Sequence, residues 1–204
     1  MHVHTNRHSG CGRSTPEAMA AAALRSGLDA IVLTEHDYIW RRAEWEELQK
    51  RTPNLKIFRG IEVTSDLQEH FLVVGILNPQ LLWPFMDERE LFAAVEAEQA
   101  AIIHAHPFRY RDKQQRRILQ LRPHAVEYMS NNVRPDMQPR IKQLAEHHKC
   151  SLTASSDGHV TDTVGMYATR LPGWPQTEQE LAQLLRSRSQ QWELVDGRHP
   201  AVGL

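Results

Sequence analysis

Apolar runs and polar clusters alternate along this chain at a spacing that reads as strand and helix in turn. LDAIVLTEHD, LKIFRGIEVTS, HFLVVGIL, AAIIHAHPF, HAVEYMS and SLTASSDGH each hold a short apolar run with polar or turn residues beside it, which predicts buried strands. Between them, DERELFAAVEAEQ, QQRRILQL and DMQPRIKQLAEHHK read as helices. Ser14-x-x-Glu17, with Pro16 inside it, predicts a helix start, and AMAAAALRS should carry that helix to a stop at Gly27. Thr177-x-x-Glu180 predicts another start, for ELAQLLRSR, with a strand to follow in QQWELV. This order predicts parallel β/α units, closed into a barrel or wound as an open sheet. No repeat, linker or compositional break divides the sequence, so one domain is expected over residues 1–204.

The polar clusters fall in a telling place. TEHD follows AIVL, GIE follows KIFR, AHP follows AIIH, and SSDGH follows SLTA. Each lies at the carboxyl end of an expected strand, the face where β/α barrels assemble an active site. At the start, His2 and His4 stand two residues apart, so on an extended strand their imidazoles share one face and can share one cation.

Composition narrows the classes. The 204 residues suffice for a small barrel, and 41% hydrophobic with 24% charged residues fits a soluble globular chain. A formal net charge of -1 supplies no global pull toward nucleic acid or an anionic membrane. No run approaches the roughly 20 apolar residues of a membrane span. Two cysteines, Cys11 and Cys150, do not make a disulfide framework, which favours a reducing cytoplasm. Twelve histidines are scattered along the chain, several of them in short motifs.

The ordered set HVHT, TEHD, GIE, a following histidine, AHP and a late SDGH resembles the PHP superfamily, named for polymerase and histidinol phosphatase. The resemblance runs from His2 to about Arg188, with the motifs between residues 2 and 159 and a final helix and strand to about 195. It implies an α/β fold, a distorted (β/α)7 TIM-like barrel, holding two or three divalent metals and hydrolysing phosphate esters. It also implies ligands. His2 and His4 with Asp157 would bind a first metal, and Glu62 would bridge it to a second that His70 and His106 complete. His36 and His159 would bind a third. The remaining ligand of the third site should lie just after HVH, where the chain reads HSGCG in place of the S-D-G of many relatives. His8 is the first choice there and Cys11 the second. Only Met1 precedes His2, so the first strand either begins late or starts upstream.

The chemistry agrees on independent grounds. Mixed imidazole and carboxylate donors suit zinc, manganese or iron better than calcium or magnesium. A bridging carboxylate can hold two cations about 3.5–4 Å apart and turn a shared water into hydroxide at neutral pH. Glu62 and Asp157 are therefore the expected catalytic carboxylates. Arg109, directly after AHPF, and Arg7 are candidate phosphate clamps, because a guanidinium donates two parallel hydrogen bonds.

Other residues carry two readings each. Glu35 and Asp37 flank His36 and either orient it or cap a helix. Glu127 and Asn131 stand near the site or simply end a strand. His104 packs or hydrogen-bonds behind His106, while His124, His147, His148 and His199 read as solvated. Trp40 and Trp45 form a stacking wall or, more often at such spacing, part of the core. Residues 109–117, RYRDKQQRR, hold five cations against one acid, and either track a polynucleotide or cover a solvated helix start.

The leading expectation is a metal-dependent phosphoesterase acting on a small phosphorylated substrate such as a nucleotide, sugar phosphate or amino-alcohol phosphate. An exonuclease or phosphodiesterase working on nucleic acid ends, in either direction, comes second. A C–N hydrolase of the amidohydrolase type and a metal-binding domain without turnover complete the set.

Overall fold

A computed structural model describes residues 1–187 and 192–197. One curled sheet takes six strands in chain order: β1 (Ala30–Leu33), β2 (Lys56–Thr64), β3 (His70–Val74), β4 (Ala101–His104), β5 (Ala125–Met129) and β6 (Ser151–Ala154). β1–β2, β4–β5 and β5–β6 pair in parallel, whereas β3 runs antiparallel to both its neighbours. That corrects the expectation of uniformly parallel units. The link from β2 to β3 is a tight turn, with Ser65 N donating to Glu69 O at 2.9 Å. A parallel crossover needs a dozen residues or more, so this link can only make a hairpin.

The N-terminal segment helps to close the curl. Val3 bridges Leu33 on one side and Gly158 on the other, both in parallel. His4 N donates to Gly158 O at 2.9 Å and Thr34 N to Val3 O at 2.9 Å. The result is an α/β half-barrel of mostly parallel strands. Beside it, β7 (Tyr167–Arg170) and β8 (Glu193–Asp196) form an antiparallel ribbon. The sequence signals β8 but not β7, whose YATR is too short and polar to stand out.

The helices are α1 (Pro16–Arg25), α2 (Arg42–Arg51), α3 (Glu88–Ala97), α4 (Arg116–Gln120), α5 (Gln138–His148) and α6 (Glu178–Arg186). α1 begins one residue later than the Ser14 motif suggests. Thr15 is its cap, accepting from Ala18 N at 3.2 Å, while Ser14 Oγ accepts from Thr161 N at 3.3 Å. Gly27 ends the turn at φ 73°, a conformation glycine adopts without strain. Thr177 caps α6 as expected, accepting from Glu180 N at 3.1 Å. The apolar pattern does not single out α2, whose sequence is almost wholly polar and buries only Leu48.

Ile31, Leu33 and Ile57 pack with Met19 and Ala23 of α1 and with Trp40. On the opposite face, Val32, Phe58, Leu72 and Ile103 pack with Leu181 and Leu185 of α6. Trp40 is therefore core, and half-buried Trp45 donates from Nε1 to Ile57 O at 2.7 Å, so neither forms a stacking wall. His124 and His148 are buried rather than solvated. His124 Nδ1 accepts from Ile102 N at 3.1 Å, which ties it to β4. His147 is exposed, and His199 lies outside the described residues. Among the described residues no helix is long and apolar enough to cross a membrane.

Candidate metal centre

Glu62, near the carboxyl end of β2, is the hub of the site, and it is buried. Its Oε2 lies 3.2 Å from His2 Nε2, 3.0 Å from His4 Nε2 and 3.2 Å from His36 Nδ1. Its Oε1 lies 2.8 Å from His70 Nδ1 and 3.1 Å from His106 Nε2. Asp157 faces it across the histidines, with Oδ1 3.3 Å from His2 Nε2 and 3.5 Å from both His4 Nε2 and His159 Nδ1. Residues from six separate stretches of chain thus meet at one end of the half-barrel.

The donors fall into groups with the spacing of cation ligands. His2 with His4 and Glu62, His2 with His106 and Asp157, and His36 with Glu62 and His70 each place their ligand atoms within 4.8 Å of one another. A fourth group joins His4, Cys11, His36 and His159. His8 is in none of them. Its ring stacks on Tyr38 at 3.9 Å, and its Nε2 lies 3.4 Å from Glu44 Oε2. The structure therefore brings Cys11, not His8, to His36 and His159.

The loop that makes this choice is set by Glu35. Its carboxylate accepts from Thr5 N, Thr5 Oγ1, Ser9 Oγ and Trp40 Nε1. Gly12 then closes the loop against the Thr5 backbone, where a Cβ would collide with the Thr5 carbonyl. Ser9 also contacts His4 Nδ1 at 3.3 Å and accepts from His36 N at 3.1 Å, so Glu35 positions two candidate ligands at once. Glu35→Ala leaves these buried donors unpaired. We expect a loss of about 2–4 kcal/mol in urea unfolding. A change under about 0.5 kcal/mol, typical of an inert surface site, would contradict it.

Elsewhere the support is similar. Glu127 holds His2 Nδ1 at 3.1 Å and accepts from His106 N at 2.9 Å and Ser155 Oγ at 2.5 Å. With Nδ1 engaged, Nε2 is the nitrogen that His2 presents to Glu62 and Asp157. Asp37 accepts from Thr64 N at 3.1 Å, bracing the end of β2. Asn131 donates to Ser156 O, whereas Asn132 donates to Asp157 Oδ2 itself. Ser9 and Asn132 carry no sequence signal of their own, since serine and asparagine are ordinary loop residues. Asp37, His106 and Asp157 hold positive φ values of 52°, 24° and 47°, the sparsely populated backbone that gathers at functional sites.

Neither arginine clamp touches the hub. Arg7 is exposed and lies 3.8 Å from Glu44 Oε1. Arg109 N donates to His106 O at 3.2 Å, and its guanidinium lies over Tyr110. Glu69 Oε2 accepts from His104 Nε2 at 3.0 Å, and the His104 ring stacks on Phe71.

The electrostatics fit a cation. Burial lowers the His2 pKa, but Asp157, Glu62 and Glu127 outweigh it and hold His2 well above an ordinary histidine. Burial likewise works against His4, and Asp157 and Glu62 raise it. Burial raises Glu62 and Asp157, yet their histidine neighbours, His2 foremost, bring both below the usual carboxylate range. His36 behaves oppositely, lowered to about 4 chiefly by burial, and burial also lowers His159. His2 Nε2, His4 Nε2 and Glu62 Oε2 are buried with no hydrogen bond among the described residues. Converging imidazole and carboxylate atoms of this kind are what a divalent ion would satisfy once it displaced the imidazole protons.

Ligands must shed protons to bind. At neutral pH, divalent metal uptake is expected to release protons from His2 and His4 but none from His36 or His159. Calorimetry in buffers of different ionisation enthalpy reads this directly, and uptake without proton release would contradict it.

No curated protein matches this chain. The PHP domain family model matches residues 1–191. The chain belongs to the PHP domain family. Its metal-dependent hydrolases include phosphoesterases, and clusters of histidine, glutamate and aspartate of the kind just described could serve such chemistry. A two-domain protein from Bacteroides vulgatus, containing a predicted PHP-like metal-dependent phosphoesterase, is similar at 18% identity and TM-score 0.72, over 95% of this chain and 63% of that one. The lesion-specific endonuclease PfuEndoQ from Pyrococcus furiosus is similar at 15% identity and TM-score 0.66, over 95% and 56%. An amidohydrolase from Chromobacterium violaceum with bound sulfate is similar at 14% and 0.63, over 96% of each chain. At these identities the likeness speaks for the fold.

Proposed function

We propose that this PHP protein hydrolyses the phosphate ester of a small molecule with two or three divalent metals. The observation that carries the reading is the convergence of six imidazoles on the buried carboxylates of Glu62 and Asp157. We assign His2, His4, His106, Glu62 and Asp157 to one position. His70 and Glu62 go to a second, and His36, His159 and Cys11 to a third. Imidazole and carboxylate donors favour zinc, manganese or iron. On this reading residues 2–4 stand in for the seventh strand of a (β/α)7 barrel.

Bound cations would neutralise charge on the phosphoryl oxygens and make water a better nucleophile. The chain's own residues do the rest. Glu62 gathers the donors, Glu127 and Ser9 orient His2 and His4, and Asn132 aims Asp157. Arg109, anchored through its backbone to His106, supplies a positive charge for an anionic substrate. Water adds across the P–O bond, so the alcohol leaves with a proton and phosphate keeps the water oxygen.

A nucleic-acid substrate is the second reading, favoured by the likeness to PfuEndoQ. The basic stretch after AHPF supports it weakly, because two of its arginines are already engaged. Arg117 pairs with Asp66, Asp87 and Glu88, and Arg111 donates to Leu67 O at 2.8 Å. Hydrolysis of an aryl phosphomonoester and its diester, followed across a salt series, separates the two. Monoester preference with shallow salt dependence supports the small-molecule reading. Diester preference with a steep fall in salt overturns it in favour of nucleic acid. Inactivity on both by protein shown to hold metal overturns both, in favour of C–N hydrolysis.

A further inference from the structure

Tyr110, a residue 61% exposed, stands at the edge of the candidate metal centre. The ring centroid lies 5.9 Å from that of His70, with the planes tilted by 62°. An open aromatic surface thus begins where the candidate ligands end. The Arg109 guanidinium lies over the same ring, 5.0 Å from its centroid, and makes no ion pair among the described residues. A cation with no carboxylate partner among the described residues thus packs on an exposed aromatic residue at the edge of the candidate metal centre.

The segment is fixed in place. Arg109 N is bonded to His106 O, Arg111 holds the turn before His70 through Leu67 O, and the Arg140 guanidinium covers Phe108 at 5.0 Å. Tyr110 is therefore presented to solvent by an anchored loop. Trp83 and Phe85 are also exposed, but neither has a ring contact with a candidate ligand among the described residues.

We propose that Tyr110 is a specificity residue, a platform on which a planar ring of the substrate stacks. Resting on the hydrolase reading above, this narrows the substrate to a phosphate ester whose alcohol portion carries an aromatic ring, as a nucleoside phosphate does. A sugar phosphate, or an amino-alcohol phosphate without an aromatic ring, offers nothing to stack. Arg109 reinforces the stack, since a guanidinium packs well on π-faces.

The test compares adenosine monophosphate with ribose phosphate on the metal-loaded protein. The wild type should favour the nucleotide in kcat/KM by about tenfold or more, from stacking on a single aromatic residue. Tyr110→Ala should collapse that ratio toward unity, and Tyr110→Phe should keep it. No preference in the wild type, or a preference that Tyr110→Ala leaves intact, overturns the proposal. The same pair is also measured as ligands by calorimetry, which separates this inference from the hydrolase reading. Ring-dependent binding lost in Tyr110→Ala, without turnover, sinks the hydrolase reading alone. Equal binding, or no binding of either compound, sinks the platform.

Discussion

Glu62→Gln is expected to lower phosphate-ester turnover by about a thousandfold, equivalent to about 4 kcal/mol of transition-state stabilisation. The substitution keeps the shape of the side chain and removes one negative charge. That charge is what draws His2, His4, His36, His70 and His106 to one point. Glutamine would remove the one carboxylate that all five imidazoles face and leave only Asp157 opposite His2, His4 and His106, so bound metal should fall as well, read by atomic emission on the dialysed protein. Retention of turnover within tenfold, with metal content unchanged, would remove Glu62 from the centre of the account.

Stripping the metal should lower Tm by about 5–15 °C. A ligand present at 100 to 1,000 times its Kd stabilises the native state by about 2.7–4.1 kcal/mol. A chain of this size shifts by about 2–4 °C for each kcal/mol. The site also joins the N-terminal segment, β2, β3 and the loops after β1, β4 and β6, so loosening it should be felt throughout. Scanning calorimetry with and without chelator measures the shift, and a change below about 2 °C would contradict it.

The metal-free protein should carry its own pH signature. His2, raised in the folded state, contributes stability fully below the ordinary histidine value of 6.5 and loses it as pH climbs through its folded value. Glu62 and Asp157 are depressed, so their contribution is present above the ordinary carboxylate values and is lost only in acid. Stripped protein should therefore weaken on the alkaline side, where the loaded protein does not.

Much of this geometry was legible in the chain because strand ends and two-residue spacing are local signals. TEHD, GIE, AHP and SDGH each announce polar side chains at the end of a strand, HVH announces two imidazoles on one face of an extended segment, and the structure gathers them at one end of the half-barrel. What escaped depends on direction and on loop path. An apolar run has the same composition whichever way it points, so the reversal of β3 shows only in the short turn from Ser65 to Glu69. His8 looked the better ligand because imidazole is the commoner donor. The path of its loop is set instead by Glu35, gripping Thr5 and Ser9, and that path brings exposed Cys11 within ligand distance of His4, His36 and His159 while His8 lies against Tyr38. Polarity alone marks His124 and His148 as solvated, since it does not reveal burial or a partner such as the Ile102 amide at His124.

The central claim is that the Glu62 and Asp157 centre hydrolyses phosphate esters with bound metal. Its most direct test is phosphate release from an aryl phosphomonoester by manganese-loaded protein, beside Asp157→Asn prepared in the same way. The account predicts turnover by the wild type and its loss in the variant. Equal phosphate release by the two proteins, or none from wild type shown to hold its metal, would contradict it.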